Sequence, residues 1–146
     1  MKMQDWVRKN LHLPAKTLLR LNSEFEIGVS LEALRHNPKD IEAMTKLGLA
    51  YTTTGAYDKA LAIDLQLVGL NPDDPIAYYN LACSYALLAE DRPALDALQM
   101  AIDKGYNDLD WIQKDLDLDP IRHLPEFRNI LEELYNRNPQ NFSTDE

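Results

Sequence analysis

The chain has 146 residues, 45% of them hydrophobic, and a formal net charge of −9 from 15 Lys and Arg against 24 Asp and Glu. That length and composition suit one globular domain with an ordinary core, while an acidic surface repels phosphate backbones and sets nucleic acid aside as a partner. A single cysteine, Cys83, leaves no internal disulfide and no cysteine-only zinc site.

The opening stretch, MKMQDWVRKNLHLPAK, puts Asp5, Arg8, Lys9 and His12 where a secretory leader needs an unbroken apolar run. No apolar run anywhere approaches the roughly 18 residues of a membrane span, so a cytoplasmic protein without such a span is expected. Residues 1–37 carry six Lys and Arg against four Asp and Glu, and residues 38–146 carry nine against twenty. Trp6, Val7, Leu11 and Leu13 set against Arg8 and Lys9 make the start amphipathic, which suits a homo-oligomer in which residues 1–14 dock on a neighbour's acidic body. Residues 1–37 are expected to form an N-terminal helical segment or a degenerate repeat, closed at Asn37-Pro38.

From there the apolar residues recur at helical spacing and nothing alternates at period two for long. Ile41, Met44, Leu47 and Tyr51 mark one helix, Ala60, Leu61, Leu65 and Val68 the next, and Tyr78, Leu81, Ala82 and Tyr85 a third. Breaks fall at Thr54-Gly55, Asn71-Pro72, Asp91-Arg92-Pro93 and Lys104-Gly105, all residue types that start or stop helices. Leu47, Gly48, Tyr51, Ala60 and Leu61 are matched 34 residues later by Leu81, Ala82, Tyr85, Ala94 and Leu95. The small members of these pairs predict close helix crossings, and Leu and Tyr fill the wedges between helix pairs.

A third unit follows without the same residues. Leu109, Ile112 and Leu116 predict a short helix, and Pro125 opens a second with Phe127, Ile130, Leu131 and Leu134 on one face. Within it Asp115, Asp117, Asp119 and Glu126 match four ligand positions of a calcium loop by count. Pro120 stands where that loop needs a glycine of positive φ, which proline cannot adopt. Leu116 and Leu118 also read as buried, so the aspartates are taken as the solvated edge of a capping unit, and neither a metal nor a cofactor is expected. Residues 138–146 have no periodicity and are expected to be a mobile tail.

A helix pair repeating every 34 residues resembles the tetratricopeptide repeat, on Leu47, Gly48, Tyr51, Ala60 and Pro72 in residues 41–74 and on Tyr78, Leu81, Ala82, Tyr85, Ala94 and Ala101 in residues 75–108. The resemblance implies an all-α superhelix of about three helix-turn-helix units, an array over 38–137 with a divergent capping unit at 109–137. It also implies that the first helix of each pair lines a concave groove for another protein or a peptide. Mapped onto this sequence, that face holds Thr45, Lys46 and Leu49, then Tyr79, Asn80 and Cys83, then Gln113 and Lys114. Of the carboxylate clamp that some cochaperones of the family use, Asn80 is kept and Lys114 stands for an arginine, but Thr45, Leu49 and Asp110 fill the other places, so chaperone-tail binding is not implied. The expected function is an adaptor or scaffold with no catalytic residues, since His12, His36 and His123 are scattered and no phosphate-binding glycine loop or nucleophile elbow is present. A self-assembling structural subunit and a small acidic chaperone of the secretion-chaperone type are the alternatives.

Overall fold

The computed structural model describes residues 2–11 and 13–139. His12 and the expected tail from residue 140 on lie outside the described residues. The fold is all-α: α1 (Met3–Leu11), α2 (Ala15–His36), α3 (Ile41–Thr53), α4 (Tyr57–Leu70), α5 (Pro75–Leu87), α6 (Asp91–Asp103), α7 (Leu109–Lys114), a 3₁₀ helix (Leu116–Ile121) and α8 (Pro125–Arg137). The chain forms two compact units, Met1–Ile63 and Asp64–Glu146, the boundary falling inside α4.

Helix starts are set by a device that recurs with the repeat. Asp40, Asp74 and Asp108, each 34 residues from the next, precede α3, α5 and α7. Their carboxylates accept from Ala43 N at 3.0 Å, Ile76 N at 2.9 Å and Trp111 N at 2.9 Å, satisfying amide groups that a helix leaves unpaired in its first turn. Helix ends are periodic as well. Ala56 N, Glu90 N and Tyr106 N donate back five residues to Tyr51 O, Tyr85 O and Ala101 O at 2.8, 2.9 and 2.9 Å, the closure in which the residue before the donor turns left-handed. Gly55 (φ 81°) and Gly105 (φ 112°) take that conformation freely, whereas the middle turn uses Ala89 at φ 59°.

In the first unit α2 packs along α3. Residues 15–36 run as one continuous 22-residue helix whose buried positions, Ser23 and Ser30, are small enough to let it lie close to Ala43, Met44, Leu47 and Gly48 of α3. In the second unit α5 and α6 form a hairpin. Ala82 and Ala94 are fully buried, as expected of alanines where two backbones approach. The 3₁₀ helix packs on both α5 and α6, and α8 packs on α6 and α7, bringing Ile112, Leu118, Ile121, Phe127 and Leu134 into a second core layer. Leu118 is buried as expected, but Leu116 is 75% exposed. The reason is that α7 stops at Lys114 and the chain turns at Asp115, so residue 116 falls outside the face that continued helical spacing assigns to it.

One ionisable group is enclosed in the second unit beside the hairpin. Asp64 of α4 is 4% exposed and accepts from Ser84 Oγ at 2.6 Å. Burial raises its pKa from 3.8 to about 6, partly offset by the Ser84 hydrogen bond. The folded state therefore holds this proton more tightly than the unfolded chain. The stability gained from it is complete below pH ~4 and is lost as pH rises to about 6.

Two consequences are measurable by denaturant unfolding. Asp64→Asn keeps an acceptor for Ser84 and removes the buried charge, so it should raise stability at pH 7.5 by about 2 kcal/mol and flatten the decline between pH 4 and 6; an unchanged pH profile would overturn the assignment. Ala89→Gly should raise stability by about 0.5–1 kcal/mol by relieving the left-handed turn, and a lowered midpoint would count against it.

Candidate functional site

A six-residue helix has too few internal hydrogen bonds to persist alone, so α7 depends on what holds its ends. Arg122 holds the C-terminal one. Its Nη1 donates to Ile112 O at 3.1 Å and Gln113 O at 2.7 Å, its Nη2 to Asp115 O at 2.6 Å, and its Nε to Asp119 Oδ1 at 2.9 Å. The guanidinium carbon also lies 5.5 Å from the centroid of the Phe127 ring. A cation thus sits on carbonyls that a helix end leaves unpaired, where the helix dipole is negative.

Asp115 then fastens this corner to α5. Its Oδ1 accepts from Asp117 N at 3.0 Å, opening the 3₁₀ helix, and its Oδ2 accepts from Tyr79 Oη at 2.7 Å, with Cys83 Sγ at 3.8 Å from the same oxygen. The Tyr79 ring stacks on Tyr106 at 4.3 Å between centroids and 5° between planes. Burial, then the neighbouring Cys83 and the hydrogen bond to Asp115, push the Tyr79 hydroxyl pKa up and keep it a neutral donor. Burial and then Asp108 push Tyr106 up to about 12. Cys83 is raised by burial first and by Asp115, Asp117 and Asp64 after it, which leaves a protonated and unreactive thiol.

The expected groove residues separate into two kinds. Tyr79 and Cys83 are 5% and 7% exposed and form the floor. Asn80, half-buried, and Lys114, exposed, stand at the surface, and the Tyr79–Asp115 bond brings their two elements together because it joins the residue before Asn80 to the residue after Lys114. Gln113 is exposed and lines the cleft between α7 and α8. In the first unit Thr45 donates its hydroxyl to Ile41 O at 2.8 Å, Lys46 pairs with Glu42 at 2.8 Å, and Leu49 is 53% exposed. The Glu42 carboxylate raises the Lys46 pKa. In the second unit Arg92, Lys104, Arg122 and Arg137 are held in ion pairs with Asp96, Asp73, Asp119 and Asp103; among the described residues Lys114 and Arg128 are its two cations outside such pairs.

Cys83, Asp115 and Asp117 bring possible metal-ligand atoms within 4.8 Å of one another, but the hydrogen bonds above already use both oxygens of Asp115. Sequence reasoning missed Arg122, which carries no periodic signal, and Asp115, which it read only as part of an acidic run. The capping aspartates were legible at the 34-residue spacing. Among the described residues, no helix is long and apolar enough to cross a membrane.

No family model matches the chain. It is 37% identical over 67 residues to a TPR repeat-containing protein of Picosynechococcus sp., an alignment covering 46% of this chain and 17% of that protein. The 34-residue hairpins and that likeness agree. The chain is a tetratricopeptide-repeat protein. It is also 33% identical over 89 residues to a protein of Arabidopsis thaliana that is chloroplastic by name, covering 59% of this chain and 27% of the relative, and 29% identical over 100 residues to human Superkiller complex protein 3, covering 68% and 6%. The chain thus matches about a quarter or less of the length of these relatives. With a plant relative assigned to the chloroplast, the expectation of a cytoplasmic location gains no support from these likenesses.

If the corner is held as described, Tyr79→Phe should lower stability by about 1–3 kcal/mol, because a buried carboxylate oxygen loses its hydroxyl donor. Amide hydrogen exchange should speed up in α7 and the 3₁₀ helix before the rest of the unit. Equal protection in variant and wild type would show that the Tyr79–Asp115 bond does not hold α7.

Proposed function

We propose that this tetratricopeptide-repeat protein is an adaptor that holds a segment of a partner protein against the exposed first-helix faces of its hairpins. The observation carrying this reading is the pairing of two accessible polar residues over a locked floor in the second unit. Asn80 and Lys114 stand at the surface, while Tyr79, Cys83 and Asp115 are fixed beneath them by hydrogen bonds and stacking. An amide both donates and accepts and so matches an extended peptide backbone. An ammonium outside any ion pair among the described residues offers a contact for a carboxylate of the same segment. In the first unit Thr45, Lys46 and Leu49 occupy the corresponding first-helix positions, with Leu49 supplying an exposed apolar contact. The floor orders these groups before a partner arrives, which lowers the entropy lost on binding. The human relative is by name a component of a complex, in keeping with an assembly role.

The test is capture of partners from native lysate by wild type and by a Lys46→Glu/Asn80→Ala/Lys114→Glu variant whose helicity and melting match wild type. All three positions are exposed or half-buried, so the fold should survive. Partners lost only with the variant would support the first-helix faces as the binding surface and would supply the ligand for direct titration. Partners retained at wild-type levels would overturn it.

A further inference from the structure

The last hairpin of the second unit leaves an apolar cleft open along its outer side. Between α7 and α8 lies a cavity of about 470 Å³ with Leu109, Leu131 and Tyr135 among its lining, and Arg128 and Glu132 lining it with them. The α8 stripe of Phe127, Ile130 and Leu134 is buried, so the residues facing this cleft form a second stripe beside it, one that a further helix in a stack of hairpins covers. Tyr135 is 47% exposed there.

We propose that the occupant of this cleft is α1 of a second copy of the chain. Charge is the first reason. Residues 1–63 carry nine Lys and Arg against seven Asp and Glu, and residues 64–146 carry six against seventeen, so the two units of different copies attract. The apolar surface of α1 is the second. Met3 and Trp6 are 63% and 50% exposed, and a nine-residue helix needs packing to persist.

The spacing of the local charges fixes the register. Asp5 and Lys9 are one turn apart on α1, Arg128 and Glu132 one turn apart on α8, all four exposed and none in an ion pair among the described residues. With the two helices parallel, Asp5 meets Arg128 and Lys9 meets Glu132, each pair about 6 Å along the axis from the other. The antiparallel alternative sets like charges together. The contact is heterologous, joining the start of one copy to the end of the next, so it propagates unless the rotation closes a ring.

Sedimentation equilibrium of the full chain over micromolar to sub-millimolar concentration decides the matter. The weight-average mass should climb above the 16.7 kDa monomer with concentration and fall as salt screens the pairs. Asp5→Arg and Arg128→Asp should each weaken association about five-fold, by replacing an attraction with a repulsion, and the two together should restore it, because the swapped charges pair again. A mass fixed at the monomer value overturns the proposal. So does self-association that neither single variant weakens, or that the double variant fails to restore.

Discussion

A helical hairpin buries only the stripe where its two helices meet, and each element of the second unit depends on the next to cover what that leaves open. Ala82 and Ala94, fully buried, let α5 and α6 lie close enough that the hydrophobic gain of the contact exceeds the conformational entropy lost in ordering it. The outer sides of that hairpin are then closed by α7, the 3₁₀ helix and α8, whose buried Ile112, Leu118, Ile121 and Phe127 carry the second layer. The stacking requirement also explains the proposed outlet at α8, since the last hairpin of a series has no successor to finish the job.

Covering a hairpin with a six-residue helix raises a problem that hydrophobic burial alone does not solve. Here polar geometry supplies the answer. Arg122 takes three carbonyls at the end of α7, and Asp115 reaches from the turn to Tyr79 on α5. Buried hydrogen bonds of this kind add modest net stability but are costly to leave half-made, so they specify one arrangement of the corner over its neighbours. The same bonds account for the quiet chemistry of the floor. Cys83 and Tyr79 are the groups in it that form a nucleophile on losing a proton, and burial beside carboxylates keeps both protonated.

Electrostatics divides the chain in a way that packing does not. In the second unit Arg92, Lys104, Arg122 and Arg137 are spent on neighbouring aspartates, leaving a strongly acidic surface relieved at Lys114 and Arg128. Each of the two has a different setting: Lys114 stands above the locked floor, and Arg128 lines the terminal cleft. A partner segment and a second copy are thereby offered separate places on one unit.

The sequence by itself determined the helical class, the hairpin period and the closely packed positions, because these follow from local rules. Apolar spacing fixes the helix faces, small residues mark close crossings, and Asp40, Asp74 and Asp108 cap helices through bonds reaching only two or three residues along the chain. Tertiary structure alone decided what the face holding Tyr79, Asn80 and Cys83 presents. Sequence spacing puts all three on one side of α5, yet a carboxylate 36 residues from Tyr79 turns two of them into floor and leaves Asn80 at the surface. The same holds for Leu116, whose exposure depends on where α7 ends, and for Arg122, whose partners lie seven to ten residues back. No periodic signal encodes a bond between residues that meet only after the chain has turned back on itself.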